Sequence, residues 1–285
     1  FFSKNFEMAN DAISKLESLF DQMDKNKLAH GDVAEMASHD IEFAGVTFRY
    51  EEGVDVLTDF SLRLESGKKY ALVGSSGSGK STIAKLISGF YPVSSGELKI
   101  GGVDISKYKR ETLEHEIAFV FQNAKLFKTS IYENVKIGRP DASREEVVKA
   151  LDLAMCGSIL DKFETREDTI IGAKGVHLSG GETQRIAIAR AILKDAPIII
   201  LDEASAASDP ENEYEMQQAF SKLMEGKTVI MIAHRLSSIR NVDEILVVED
   251  GKVTERGSHD ELIAKDSKYK NLQNLYNQAN EWRLS

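Results

Sequence analysis

Gly74-Ser75-Ser76-Gly77-Ser78-Gly79-Lys80-Ser81-Thr82 is the stretch from which the fold of this chain can be read. It follows a short apolar run, Tyr70-Ala71-Leu72-Val73, and opens a periodic segment, Ile83-Ala84-Lys85-Leu86-Ile87. Strand, glycine-rich loop and helix in that order are the setting a phosphate-binding P-loop requires. Glycines let successive backbone N–H groups converge on phosphate oxygens, and the following helix turns its positive N-terminus to the same anion. Lys80 supplies a point charge for the outer phosphates and Ser81 a hydroxyl ligand for Mg²⁺. A glycine-serine turn before an ordinary helix is the bland alternative. The full spacing with both flanking elements outweighs it, and a nucleoside triphosphate site is the starting point.

The 285 residues suffice for one large or two small domains, with 42% hydrophobic residues to fill a core. Thirty-six basic against 46 acidic residues give a net charge of −10, which argues against a nucleic-acid-binding face. Cys156 is the one cysteine, so no internal disulfide forms, as in a reducing compartment. No uninterrupted apolar run approaches the roughly 18 residues needed to span a bilayer, and Phe1-Phe2 leads at once into polar residues. The chain therefore reads as soluble, and its start on two phenylalanines reads as that of a fragment or processed chain.

Residues 3–24 carry a heptad-like stripe, Phe6, Ala9, Ile13, Leu16, Phe20 and Met23. It predicts a helix, packed on its own domain or extending from something before Phe1. Residues 25–39 read as a polar linker. Alternation at Ile41, Phe43, Val46, Phe48 and Tyr50, and again over Val56–Leu64, predicts antiparallel strands. Gly96–Val103 adds a strand and a tight turn. Ile117–Phe121 predicts a buried strand ending at Gln122. Between Asn123 and Lys194 the pattern is helical, as at Ser143–Met155, and reads as a helical insertion. Ile198–Leu201 and Thr228–Ile232 are further core strands, with a helix from Pro210 to Met224 between them. Residues 244–256 predict a hairpin turning at Asp250-Gly251, before a helical tail.

Strand 198–201 ends in Asp202-Glu203, the pattern that sets carboxylates at the carboxyl edge of a central strand beside a P-loop. Asp202 suits the Mg²⁺ shell, and Glu203 can orient and polarise a water. Leu178-Ser179-Gly180-Gly181-Glu182 precedes a strongly helical run and forms another helix N-terminus open to an anion. Its bland alternative is an ordinary capped helix.

With these stretches in order, the chain resembles an ATP-binding-cassette (ABC) nucleotide-binding domain over roughly Ile41 to Ala264. The resemblance implies an α/β fold, a P-loop NTPase (RecA-like) core with an antiparallel β subdomain and an inserted helical subdomain. It divides the chain into an extension and linker (1–39), the cassette (40–265, helical part about 123–194) and a helical tail (266–285). ATP and Mg²⁺ are the implied cofactors, bound by Gly74 to Thr82. Tyr50 matches the aromatic that stacks on adenine. Gln122 matches the glutamine that reaches Mg²⁺ and the attacking water and links the core to the helical subdomain. Ser81, Gln122 and Asp202 are the implied metal ligands. Ser179, Gly180, Gly181 and Glu182 match the signature motif, which binds the γ-phosphate held by an opposite subunit. Asp209 matches the acid of the loop after the magnesium strand, and His234 the switch histidine on the γ-phosphate. Lys80, Gln122, Glu203 and His234 are thus the implied catalytic set.

The exporter branch fits best, because Gln122–Phe127, Ser130-Ile131 and Glu133-Asn134 resemble its entry into the helical subdomain. That branch implies transmembrane domains N-terminal in the same polypeptide, a second nucleotide-binding domain, identical or not, as head-to-tail partner, no nucleic acid, and a place on the cytoplasmic face of a membrane. The sequence departs from the pattern in three places. Thr169-Ile170-Ile171-Gly172-Ala173 lacks both acids of the usual Thr-Glu-Val-Gly-Glu, Ala206-Ala207-Ser208-Asp209 replaces Ser-Ala-Leu-Asp, and Glu182 stands where Gln is commoner. The rival readings are a soluble ABC ATPase acting on nucleic acid or ribosomes, and a regulatory cassette that binds ATP without hydrolysing it.

Overall fold

The computed structural model describes residues 27–51, 53–172, 175–203, 210–233, 239 and 241–284. The 3–24 stripe, Asp209 and His234 lie outside the described residues.

Strands β1 (Ile41–Phe48) and β2 (Leu57–Leu64) pair antiparallel, as their alternation requires. Phe43 and Val46 both face the core although three apart, because a bulge at Gly45 (φ 57°) absorbs the extra residue. The next strand, β3 (Lys69–Val73), starts a second sheet and is followed by helix α1 (Lys80–Ile87). The chain then returns to the first sheet with β4 (Ser95–Ile100), on the other edge of β1, and the short β5 (Val103–Asp104). Helix α2 (Arg110–Glu116) leads into β6 (Ile117–Val120). Helices α3 (Ile131–Lys136), α4 (Arg144–Leu153), α5 (Gly157–Leu160) and α6 (Gly180–Lys194) come next. Then β7 (Ile198–Glu203), α7 (Pro210–Met224), β8 (Thr228–Ala233), β9 (Glu244–Glu249) and β10 (Lys252–Gly257) complete the second sheet, and α8 (His259–Ile263) and α9 (Lys268–Leu284) close the chain.

The second sheet has the order β10-β9-β3-β8-β7-β6, parallel from β9 to β6. Its central strands are unbroken apolar runs because both faces are covered. Tyr70, Leu72, Ile200 and Ile230 point to one core, shared with α1 and the antiparallel sheet. Their neighbours Ala71, Val73, Ile199 and Met231 point to the other, shared with the helices. The fold is therefore the α/β P-loop core with an antiparallel subdomain that the sequence implied. The Asp250-Gly251 turn has φ of 46° and 70°, the left-handed pair of a type I′ hairpin.

Two expectations change. Strand β6 stops at Val120, and Phe121 is exposed rather than buried, stacked on Phe119 with centroids 4.2 Å apart. Residues 27–39 are no free linker. Val33 bridges Tyr108, the N–H of Gly31 donates to Tyr108 O at 3.1 Å, and Thr112 Oγ1 donates to Ala34 O at 2.9 Å. A Cβ at Gly31 would stand 2.3 Å from Lys107 O, so this approach needs glycine. Polar composition hid a segment held mainly through its backbone.

Candidate active site

The P-loop is shaped by three glycines at positive φ, Gly74 (144°), Gly77 (79°) and Gly79 (107°). A Cβ on Gly74 would come within 2.1 Å of Val248 O in β9. From the far side of the hairpin, Gly251 N–H donates to Ser78 O at 3.0 Å, and a Cβ there would strike Val56 O at 2.2 Å. The loop is thus braced by backbone from β9 and the β9–β10 turn, and that turn is itself set against Val56, just before β2.

Lys80 opens α1 and is only 6% exposed. Its ammonium donates to Gly74 O (3.0 Å), Ser75 O (2.6 Å) and Ser78 Oγ (3.2 Å), which stations the charge inside the loop. Burial lowers its pKa below that of an ordinary lysine, and the Asp202 carboxylate opposes the shift. Strand register sets Asp202 level with the P-loop strand, since it and Leu72, two residues before Gly74, both pair with Ile232 of β8. The N-terminus of α1 has Gly79 as its cap and no side-chain cap bond, and among the described residues no side chain is hydrogen-bonded to its first N–H groups. Ser75, Ser76, Gly77 and Ser81 are exposed around that opening.

Asp202 and Glu203 end β7, in register with Ile232 and Ala233 of β8. His234 follows Ala233 directly. Val120 of β6 pairs with Leu201, so Gln122, exposed, lies as far past its pairing residue as Glu203 does past Leu201. The carboxyl edge of one parallel sheet thereby collects Gly74, Gln122, Asp202 and Glu203.

Tyr50 reaches the same helix from the antiparallel sheet. Its hydroxyl lies 3.1 Å from Thr82 Oγ1, and its ring meets Phe48 and Tyr91 edge-on at 4.8 and 5.3 Å. At 38% exposed, the ring keeps accessible surface beside the P-loop. Thr82, an expected phosphate neighbour, is buried and spends its hydroxyl on Tyr50. Tyr91 escaped the sequence reading, since nothing in its neighbours marks it.

Ser179 caps α6 in a complete capping box. Its Oγ accepts from Glu182 N–H at 3.2 Å, while Ser179 N–H donates to Glu182 Oε2 at 2.7 Å. Lys162 Nζ holds the other carboxylate oxygen at 2.5 Å. Burial pushes the Glu182 pKa up, but the bonds from Lys162 and Ser179 prevail and hold it below the ordinary carboxylate value. Both oxygens of Glu182 are therefore engaged within the chain, and its part in the signature stretch is to set the loop. Ser179 and Gly180 are exposed, and nothing lies within 4 Å of a Cβ built on Gly180. No hydrogen bond among the described residues joins this stretch to the P-loop.

A family model described as ABC transporter matches residues 57–206, and the chain is 47% identical over 237 residues to an ATP-dependent lipid A-core flippase of Pasteurella multocida (strain Pm70). The chain belongs to the ABC transporter family. It is a nucleotide-binding domain of that family and binds ATP. The alignment to the flippase covers 82% of this chain and 41% of that protein. YgaD of Bacillus subtilis (strain 168), assigned to multidrug export as an ATP-binding/permease protein, is 44% identical over 238 residues, covering 83% and 41%. A solved bacterial Atm1-family ABC exporter with ATP bound superposes with a TM-score of 0.81 at 33% identity, covering 93% of this chain and 47% of that one. This ABC domain thus spans less than half the length of these proteins. Among the described residues no helix is long and apolar enough to cross a membrane.

Beside Gln122 the ABC domain carries a groove of about 700 Å³, lined among others by Phe119, Phe121, Phe127, Ile137 and Arg190. Phe127 is 61% exposed at its rim. Sequence reading singled out the segment but not the groove, because its walls meet only after β6 and α6 pack together.

Proposed function

We propose that this domain hydrolyses ATP and drives export across a membrane, working as a head-to-tail pair with a second nucleotide-binding domain. The observation that carries the reading is the buried Lys80 ammonium inside an uncapped, glycine-shaped loop, at the same sheet edge as Asp202. In this reading the loop N–H groups and Lys80 bind the β- and γ-phosphates, and Tyr50 offers its ring to the adenine. Ser81, Gln122 and Asp202 offer hydroxyl, amide carbonyl and carboxylate oxygens, hard donors that suit Mg²⁺. The bound ion would neutralise charge developing on the phosphates. Glu203 orients the attacking water and accepts its proton, and His234 holds the γ-phosphate in place. Ser179 and the exposed Gly180 at the capped start of α6 serve the nucleotide of the opposite domain, and Asp209 is taken as the acid of the loop after the magnesium strand.

The Glu203→Gln variant tests the chemistry. ATP affinity should stay within about twofold while turnover falls about 100-fold or more. Turnover at the level of the unaltered domain would remove Glu203 from the mechanism. The domain division of the sequence reading belongs to the same proposal. The groove beside Gln122 suits a transmembrane domain as its occupant, and the names of the relatives support such a partner. Coding sequence upstream of Phe1 checks this directly. Several apolar spans of about 20 residues support export, and their absence would end it.

A further inference from the structure

Six residues after Ser179, α6 carries a charge that the proposed mechanism does not use. Arg185 is 2% exposed, and its guanidinium stays protonated wherever it is placed. Nη1 donates to Met155 O at 3.0 Å and to the Glu215 carboxylate, and Nη2 donates to Asn212 Oδ1 at 3.0 Å. Ser158 Oγ donates to the same carboxylate at 3.1 Å. Three segments are joined: the first turns of α6, the turn before α5, where Met155 holds a left-handed φ of 55°, and the first turns of α7. Asn212 Oδ1 also stands 4.0 Å from the place of a Cβ on Gly181. Helix α7 is the next element after Asp202-Glu203.

A buried ion pair that merely glued α6 to α7 would be replaceable by apolar groups, and apolar contact is already present. Ile186, Ile188, Met216, Ala219 and Phe220 belong to the same core, and α6 packs on α7. What a planar fork adds is direction, because its donors leave at fixed angles. Sliding α6 along α7 would break the bonds to Asn212 and Glu215, whereas apolar packing would tolerate it.

We propose that Arg185 is a positioning residue, which sets the register between the Ser179–Gly181 end of α6 and the start of α7. It thereby ties the surface that serves the partner's nucleotide to the strand end that acts on the domain's own. The inference rests on the proposed hydrolysis at paired sites. Its signature is a fall in kcat with little change in nucleotide affinity.

The test compares the unaltered domain with Arg185→Lys, Asn212→Ala, their combination and Ile186→Val. For each, the affinity for a fluorescent ATP analogue, kcat, KM and the melting temperature are measured well below unfolding. Arg185→Lys keeps the charge and loses the fork. It should lower kcat about 10-fold while affinity stays within about twofold. Asn212→Ala removes the Oδ1 acceptor of the Arg185 fork at a partly exposed position, and it carries the test should Arg185→Lys not fold. The combination should be no slower than the worse single variant, since both break one unit. Ile186→Val loosens the same helix apart from the fork, so it should lower the melting temperature and leave kcat unchanged. An unchanged kcat in Arg185→Lys and Asn212→Ala with only a lower melting temperature overturns the inference alone. An unaltered domain without ATP turnover overturns the proposed function, and the inference with it.

Discussion

Two helices of this domain begin on glycine-rich sequence, and they begin differently. Helix α1 starts at Gly79 with no side-chain cap, inside a loop that its own Lys80 lines with charge. Helix α6 starts at Ser179 with a full capping box, reinforced by Lys162. The first leaves donors open where a chain would ordinarily satisfy them, and its loop is shaped by contacts within the same domain. The second satisfies its donors locally, keeps Gly180 open, and offers a surface rather than a pocket. In the proposed pairing, the first helix end serves the domain's own nucleotide and the second that of its neighbour.

The largest effect expected on this contrast is at Lys80. Lys80→Ala should weaken ATP binding about 100-fold with the fold intact, since charge-assisted bonds to the phosphates are lost. Calorimetric titration checks it, and affinity near that of the unaltered domain would break the contrast at its stronger end. Gly74→Ala comes next. A methyl group meeting Val248 O should cost more than about 2 kcal/mol of stability and reduce nucleotide binding, as read by denaturant unfolding and titration. At the other helix, Glu182→Ala should cost about 1–2 kcal/mol and leave the ATP affinity of the single domain unchanged. A parallel loss of affinity would mean that the two helix ends are not separate.

The same carboxylate gives the cap a pH dependence. Because its pKa is lowered on folding, its contribution is full above the ordinary carboxylate value and is lost as pH falls through the lowered one. Acid unfolding curves of the unaltered domain and Glu182→Gln should therefore converge at low pH. The smallest effect is at Tyr50. Tyr50→Ala should raise the Kd for ATP by about threefold to tenfold through lost ring contact, while the affinity for inorganic triphosphate stays constant.

What could be read from the sequence was what is contiguous in it. The P-loop, the four apolar residues before Asp202-Glu203 and the capped start at Ser179 each lie within a dozen residues, where spacing alone carries the geometry. The core strands before the P-loop and at 117–120, 198–201 and 228–232 were legible for the same reason, as short apolar runs. The anchoring of residues 27–39 was not, because backbone bonds to Lys107 and Tyr108 leave no mark on side-chain composition. Lys162 with Glu182, and Arg185 with Asn212 and Glu215, pair residues 20 to 30 positions apart with no periodic sign. Phe121 misled because an apolar residue after an apolar strand looks like more strand. It instead faces outward at the groove rim.

The contacts behind the P-loop also bear on how the domain comes into being. Gly74 is set against Val248, and Ser78 is held by Gly251, yet the loop leaves the ribosome well before either partner does. A nascent chain that ends short of β9 lacks the wall that shapes its phosphate loop. ATP capture should therefore require the closing hairpin to have docked, and a C-terminal truncation that removes β9 and β10 should disable a motif that it leaves untouched.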